Sequence, residues 1–271
     1  MSIVAISDTL GSLGHEIGQR VAAATGYEFA DREIISKAAE RFGEGVLELT
    51  HVTEEKPTLW ERFTDTQRRY VAYVNAVILE LAAGDNIVLA GRGATVLLRP
   101  VLHALRVRIS APEAVRAERL RQQQGLIDEA ALDVVRDSDR ERGARLRFLH
   151  HVDWNDPLLY DLVLNTERLS VERGAWLIHE TLEERFQATT ASRRTILDLS
   201  LAAQATAALL ADPRMRSRHI SASCEDGYLH LTGHVREADA RGRAQEVVEK
   251  IAGVRGVVNE IVVIYARSVS V

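Results

Sequence analysis

Cysteine is almost absent from this 271-residue chain, which carries only Cys224. A lone thiol forms no intramolecular disulfide and has no partner cysteines for a zinc site, as expected in a reducing compartment. An excess of positive charge is also missing. The formal net charge is -5, so no global positive field favours nucleic acid, and no nucleic-acid partner is expected. No apolar run reaches the roughly 18–20 residues that a transmembrane helix needs. The opening residues Met1 to Ser7 have no basic segment and too short an apolar run for a secretory signal. These absences together point to a cytoplasmic protein. What is plentiful is ordinary globular material, 46% hydrophobic and 27% charged residues. The length accommodates one large domain or two smaller ones.

Periodicity divides the chain. Ile3 to Ser7 reads as a strand, Gly11 to Gly14 as a glycine-bearing loop, and Ile17, Val21 and Ala24 as one face of a helix closed by Gly26. A largely helical region is expected from Arg32 to Leu81, interrupted near Pro57 and ended by Gly84. Ile87–Ala90, Leu105–Ile109 and Asp161–Asn165 read as further strands. Ala111-Pro112-Glu113 opens a helix, and Glu167 to Arg185 reads as another. Strands alternating with helices predict a parallel α/β sheet. Gln187 to Ser192 is small and polar and reads as a linker. Beyond it come a helix from Thr195 to Leu210, stopped by Asp212-Pro213, and strands at Ile220–Cys224 and Tyr228–Leu231. Asp226-Gly227 between these strands is a hairpin signal. A helix over Glu237–Ile251 and a strand over Val257–Tyr265 complete an αββαβ order. Cys224 alternates with Ile220 and Ala222 on one strand face and reads as a small buried hydrophobe.

The loop Gly11-Ser12-Leu13-Gly14-His15-Glu16 stands where a phosphate-binding loop stands in strand–loop–helix units. Glycines permit a tight turn that exposes backbone N–H groups, and the following helix presents its positive end. The Walker pattern would require Gly-Lys followed by Ser or Thr. That lysine is missing here, and His15-Glu16 occupy its neighbourhood. On spacing alone an ordinary glycine turn remains open.

Further segments bear on that choice. Ile6-Ser7 and Gly11 to Gly18 are followed by Phe29-Ala30-Asp31-Arg32-Glu33-Ile34-Ile35. Then come Leu89-Ala90-Gly91-Arg92-Gly93-Ala94, Arg136 to Arg142, and Asp153 to Thr166. In this order, over about residues 3–180, they resemble the cytidylate kinase-like family. The resemblance implies a parallel-sheet P-loop kinase-like domain over residues 1–190. It also implies an ATP-dependent nucleoside monophosphate kinase that uses Mg2+. Gly11, Ser12, Leu13, Gly14, His15 and Glu16 would take the ATP phosphates. Asp31, Arg32 and Arg92 would hold the acceptor, and lid arginines Arg136, Arg140 and Arg142 would neutralise the transferring group. Bland alternatives stand beside these roles: a solvated helix for the arginines, a helix cap for Asp31, and a strand-end ion pair for Arg92. The sequence departs from the family at Leu13, where a glycine is usual, at His15, where an arginine is usual, and at Gly93, where an aspartate follows the arginine. The missing lysine, Leu13 and Gly93 motivate a second reading, a catalytically degenerate nucleotide-binding sensor. His150-His151 with Asp153 is not expected to bind metal, because adjacent helical side chains point apart.

Ala211-Asp212-Pro213-Arg214, Glu225 to Val235 and Val254 to Ile261 resemble the BON domain. This implies a small α+β (αββαβ) unit over residues 193–266. It carries no visible catalytic set, and a protein or membrane-surface partner is expected for it.

Overall fold

The computed structural model describes residues 1–46, 49–50, 65–215 and 219–264. Pro57 lies outside the described residues. The chain opens with β1 (Ile3–Asp8), α1 (Gly14–Thr25), β2 (Glu28–Ala30) and α2 (Glu33–Phe42). It continues with α3 (Asp65–Ala83), β3 (Ile87–Ala90), α4 (Ala94–Leu97), β4 (Ala104–Ser110) and α5 (Glu113–Gln124). Then come α6 (Asp128–His150), β5 (Leu162–Asn165) and α7 (Val171–Arg185).

The five strands form one parallel sheet in the order β2-β3-β1-β4-β5. Strand alternation distributes β1 between two cores. Ile3 and Ala5 pack with α2, α3 and α4 on one face. Val4 and Ile6 pack with Ile17 and Val21 of α1 and Ile178 and Leu182 of α7 on the other. This two-sided burial explains why β1 reads as an unbroken apolar run rather than an alternating one. The chain leaves β1 for one edge of the sheet, returns through β3, and crosses to β4. The carboxyl end of β1 is therefore the switch point, where open α/β sheets bind ligands. The short strand β2 was not foreseen from the sequence: three residues are too few to establish a period.

The second unit comprises α8 (Thr190–Ala211), β6 (His219–Glu225), β7 (Tyr228–Val235), α9 (Ala238–Val248), β8 (Gly256–Asn259) and β9 (Val262–Val263). β6 and β7 form the expected hairpin, with Asp226 at φ 51° and Gly227 at φ 81° in the turn. The single terminal strand expected from Val257 to Tyr265 is two strands, both parallel to β7. The break comes where the Glu260 N–H bonds the Leu231 carbonyl and Ile261 turns into the core.

The polar stretch 187–192 also differs from the linker reading. Its residues start a helix: Thr189 and Ser192 form a reciprocal capping box at the head of α8. Small polar residues signal both a linker and a cap, so composition alone does not separate the two. The helix then serves two cores. Ile196, Leu199, Ala203 and Ala207 pack with the first unit. Leu201, Ala205 and Leu209 pack with the second. Asp198 of the same helix accepts the backbone N–H groups of Asp226 and Gly227 at the hairpin turn, at 2.9 and 2.8 Å. It also accepts the Cys224 thiol. Burial and this carboxylate push the thiol pKa up to about 12, so Cys224 is an inert, partly buried side chain.

Candidate functional site

The loop after β1 is held by side chains that grip its carbonyls from outside. Arg116 of α5 is buried; its Nη1 donates to the Leu10 carbonyl at 3.3 Å, and its Nε donates to the Ala111 carbonyl at 2.8 Å. The same guanidinium forms a two-point pair with Asp139 of α6 at 3.1 and 2.6 Å. Arg119, one turn further along α5, donates to the Gly11 carbonyl at 3.1 Å and the Thr166 carbonyl at 2.6 Å. Thr166 Oγ1 in turn donates to the Ser12 carbonyl at 2.8 Å. Arg142 of α6 donates to the Asp8 carbonyl at 2.9 Å. A trans peptide sends its N–H opposite its carbonyl. Holding the Leu10 and Ser12 carbonyls therefore turns the Gly11 and Leu13 N–H groups the other way, while the Ser12 N–H bonds the Thr9 carbonyl at 3.0 Å.

Two glycines of the loop are required by contact. A Cβ on Gly11 would lie 2.8 Å from the Arg116 carbonyl, and one on Gly14 would lie 2.3 Å from the Asp8 Cβ. Leu13 itself takes the left-handed conformation, φ 64° and ψ 20°, at the N-cap of α1. A leucine is strained there by about 1 kcal/mol or more. Its side chain packs against the α1–α7 core. The family's usual glycine is thus explained by the backbone, and packing offsets the strain here. Ser12 is fully buried, and its Oγ has no hydrogen-bond partner. A buried hydroxyl without a partner is uncommon in a folded protein.

His15 and Glu16, at the start of α1, are exposed. His15 Nδ1 lies 3.1 Å from Asp31 Oδ2, and its ring meets Phe29 edge-on at 5.1 Å. Asp31 does not cap α2, as its position suggested. The N-cap is Arg32, with no side-chain bond, while Asp31 turns to His15 and its N–H is taken by Glu33. Accepting that N–H holds the Glu33 carboxyl below its ordinary range. Arg32 is exposed. Arg92 stands at φ 56° between Gly91 and Gly93, both also left-handed, and the Gly91 N–H bonds the Ile6 carbonyl at 2.8 Å. The Gly-Arg-Gly turn is thereby tied to the end of β1. A Cβ on Gly93 would meet His150 Nε2 at 2.8 Å, so the end of α6 fills the space that a side chain there would use. Burial, followed by the nearby His151, lowers the His150 pKa.

The three lid arginines lie apart in their surroundings. Arg142 reaches the loop. Arg136 pairs with Glu113 at 3.0 Å, and Arg140 pairs with Asp137, both on the exposed surface of the helix. Sequence reasoning missed Arg116 and Arg119, and their spacing of three on the helix after β4 was the available signal. It also missed Arg108. This buried arginine of β4 donates to Ser7 Oγ at 2.9 Å and lies 4.0 Å over the Trp154 ring. Burial lowers its pKa. Among the described residues no group of three or more His, Cys, Asp or Glu side chains could hold a metal ion. No helix there is long and apolar enough to cross a membrane.

The parallel sheet in the order β2-β3-β1-β4-β5, with a glycine loop at its switch point, has the architecture of a P-loop kinase-like domain. The chain belongs to the cytidylate kinase-like family, whose sequence profile matches residues 3–168. The profile of the BON domain matches residues 198–265. A cytidylate kinase of Methanopyrus kandleri is 31% identical over 144 residues, covering 51% of this chain and 70% of that protein. A cytidylate kinase of Natronomonas pharaonis is 30% identical over 170 residues, covering 62% of this chain and 82% of that protein. A crystal structure of an uncharacterized protein from Eubacterium ventriosum superposes with a TM-score of 0.55 at 17% identity. It covers 68% of this chain and 100% of that one.

Proposed function

We propose that the protein transfers the terminal phosphate of ATP, with Mg2+, to a nucleoside monophosphate of the cytidylate type. One observation carries this reading. The loop carbonyls of Asp8, Leu10, Gly11 and Ser12 are drawn outward by Arg142, Arg116, Arg119 and Thr166, at the start of α1. The Thr9 and Ser12 N–H groups bond the Ile109 and Thr9 carbonyls, so the opposed Gly11 and Leu13 N–H groups and the helix start are what suit a phosphate. When bound, ATP supplies the phosphoryl group and Mg2+ neutralises charge on it. Mg2+ at such sites is held largely by phosphates and water, with one or two carboxylates, so no all-protein cage is needed. The acceptor phosphate oxygen is already nucleophilic, so positioning and charge neutralisation remain for the protein. Arg142 stands nearest the loop for that task, with Arg136 and Arg140 earlier on α6. Asp31, Arg32 and Arg92 line the acceptor side in this reading. A coupled assay with ATP and CMP, dCMP or UMP tests it. Absence of turnover with every acceptor would refute it.

The second reading, a nucleotide sensor without transfer, is favoured by the missing loop lysine and by the carboxylate of Asp8 beside the loop. Calorimetric ATP binding without turnover would select it. In either case the C-terminal unit, residues 193–266, acts as an interaction module. Because α8 packs in both cores, a chain ending at residue 211 should keep a cooperative melt that a chain ending at residue 190 loses. Equal melting of the two would mean that α8 belongs to the second unit alone.

A further inference from the structure

The end of β1 places a carboxylate where the reading above puts the donor phosphates. The virtual Cβ of Gly14, first residue of α1, is 2.3 Å from the Asp8 Cβ and 3.0 Å from Oδ2. The carboxylate therefore lies against the positive end of that helix. Arg142 Nη1 bonds the Asp8 carbonyl and stands 3.6 Å from its Oδ1. A helix start and a guanidinium are what attract phosphate here, and both already face an anion of the protein's own. The Asp8 side chain is 24% exposed. Protein otherwise surrounds the carboxyl, and burial is the largest influence on it, raising its pKa. Arg142 and Arg108 pull the other way, while Asp31 adds to the rise.

We propose that Asp8 is an internal competitor for the donor phosphates, contending with them for Arg142 and the start of α1, so that nucleotide binds with uptake of a proton at Asp8. This rests on the loop being the donor site. The proton comes from solvent, and no covalent bond changes. The charged groups facing the carboxylate are Arg142 of α6, Arg108 of β4 and Asp31 at the β2–α2 junction. His15 of α1 is bonded to Asp31, and Asp139 of α6 is held by Arg116. A polyanion brought beside this group favours its neutral form, so the bound-state pKa lies above the free-state one. Affinity should be highest below the free-state pKa, fall as pH rises toward the bound-state pKa, and level off above it.

Calorimetry of ATP and of inorganic tripolyphosphate, in EDTA, would compare wild type with Asp8→Asn and Asp8→Ala across about pH 5 to 8. Dividing the affinities of wild type and variant cancels the titration of the phosphates. Both variants should bind about tenfold more tightly than wild type at the alkaline end, with the gap closing toward acid. Thermal melts establish that the variants are folded. Wild type and His15→Gln, measured in buffers of different ionisation enthalpy, should both take up a proton, which tests the idea with Asp8 intact. Parallel pH profiles with equal affinities would overturn it. So would weaker binding by Asp8→Asn in a parallel titration with Mg-ATP and no EDTA, which would make the carboxylate a ligand on the metal side. If no form of the protein binds ATP or tripolyphosphate, the donor-site reading itself fails, an outcome distinct from binding that ignores Asp8.

Discussion

Two groups of arginines sit on the neighbouring helices α5 and α6 and live in opposite surroundings. Arg116 and Arg119 on α5 spend their guanidinium groups on loop carbonyls, Thr166 and Asp139. Arg136 and Arg140 on α6 make single ion pairs at the surface. Arg142, two positions on from Arg140, faces inward to Asp8. The contrast teaches that an arginine run does not by itself define a phosphate clamp. The inner group builds the loop, and the outer group is paired at the helix surface. Their energetics should differ accordingly, because a buried guanidinium with several acceptors leaves polar groups stranded when it is removed, whereas a surface pair is screened by water.

The largest effect is expected at Arg116. Arg116→Ala strands Asp139 and two backbone carbonyls, and should cost about 3 kcal/mol of stability in denaturant unfolding. A loss below about 1 kcal/mol would break the distinction between inner and outer arginines. Arg140→Ala should reverse the pattern. Its stability should stay within about 0.5 kcal/mol of wild type. Turnover should fall by the equivalent of about 2–4 kcal/mol in the barrier, with ATP affinity much less affected. Unchanged turnover would return Arg140 to a solvated helix face. The smallest effect is expected at Arg136, where loss of the exposed pair with Glu113 should change stability by less than about 0.5 kcal/mol. A turnover defect in Arg136→Ala as large as that of Arg140→Ala would join the two as one functional pair, and its absence would narrow the working lid to Arg140 and Arg142.

Much of the architecture was readable in advance. Ile3 to Ile6 is an unbroken apolar run because β1 is covered on both faces, and the glycines after it punctuate a turn. Asp226-Gly227 announced its hairpin because few residues tolerate two successive left-handed positions. The rest was hidden for identifiable reasons. β2 is too short for a period. Thr189 and Ser192 have the composition of a linker and the spacing of a cap. Asp31 stands in a capping position, yet its carboxylate goes to His15, a partner sixteen residues earlier. The Leu13 conformation is invisible in a sequence, where leucine argues against a left-handed backbone.

The sequence by itself determined the order of strands and helices, the place of the glycine loop, and the motifs that mark the family and the C-terminal domain. These depend on local periodicity, on turn chemistry and on residues near one another in the chain. The tertiary structure alone decided which arginines are buried, that α8 serves two cores, and that the Asp8 carboxylate lies against α1. Those outcomes depend on burial and charge supplied by distant segments. Arg142 meets Asp8 across 134 positions, Arg119 meets Gly11 across 108, and Thr166 meets Ser12 across 154. The field at a side chain is set by what folding brings beside it, and no local pattern encodes that.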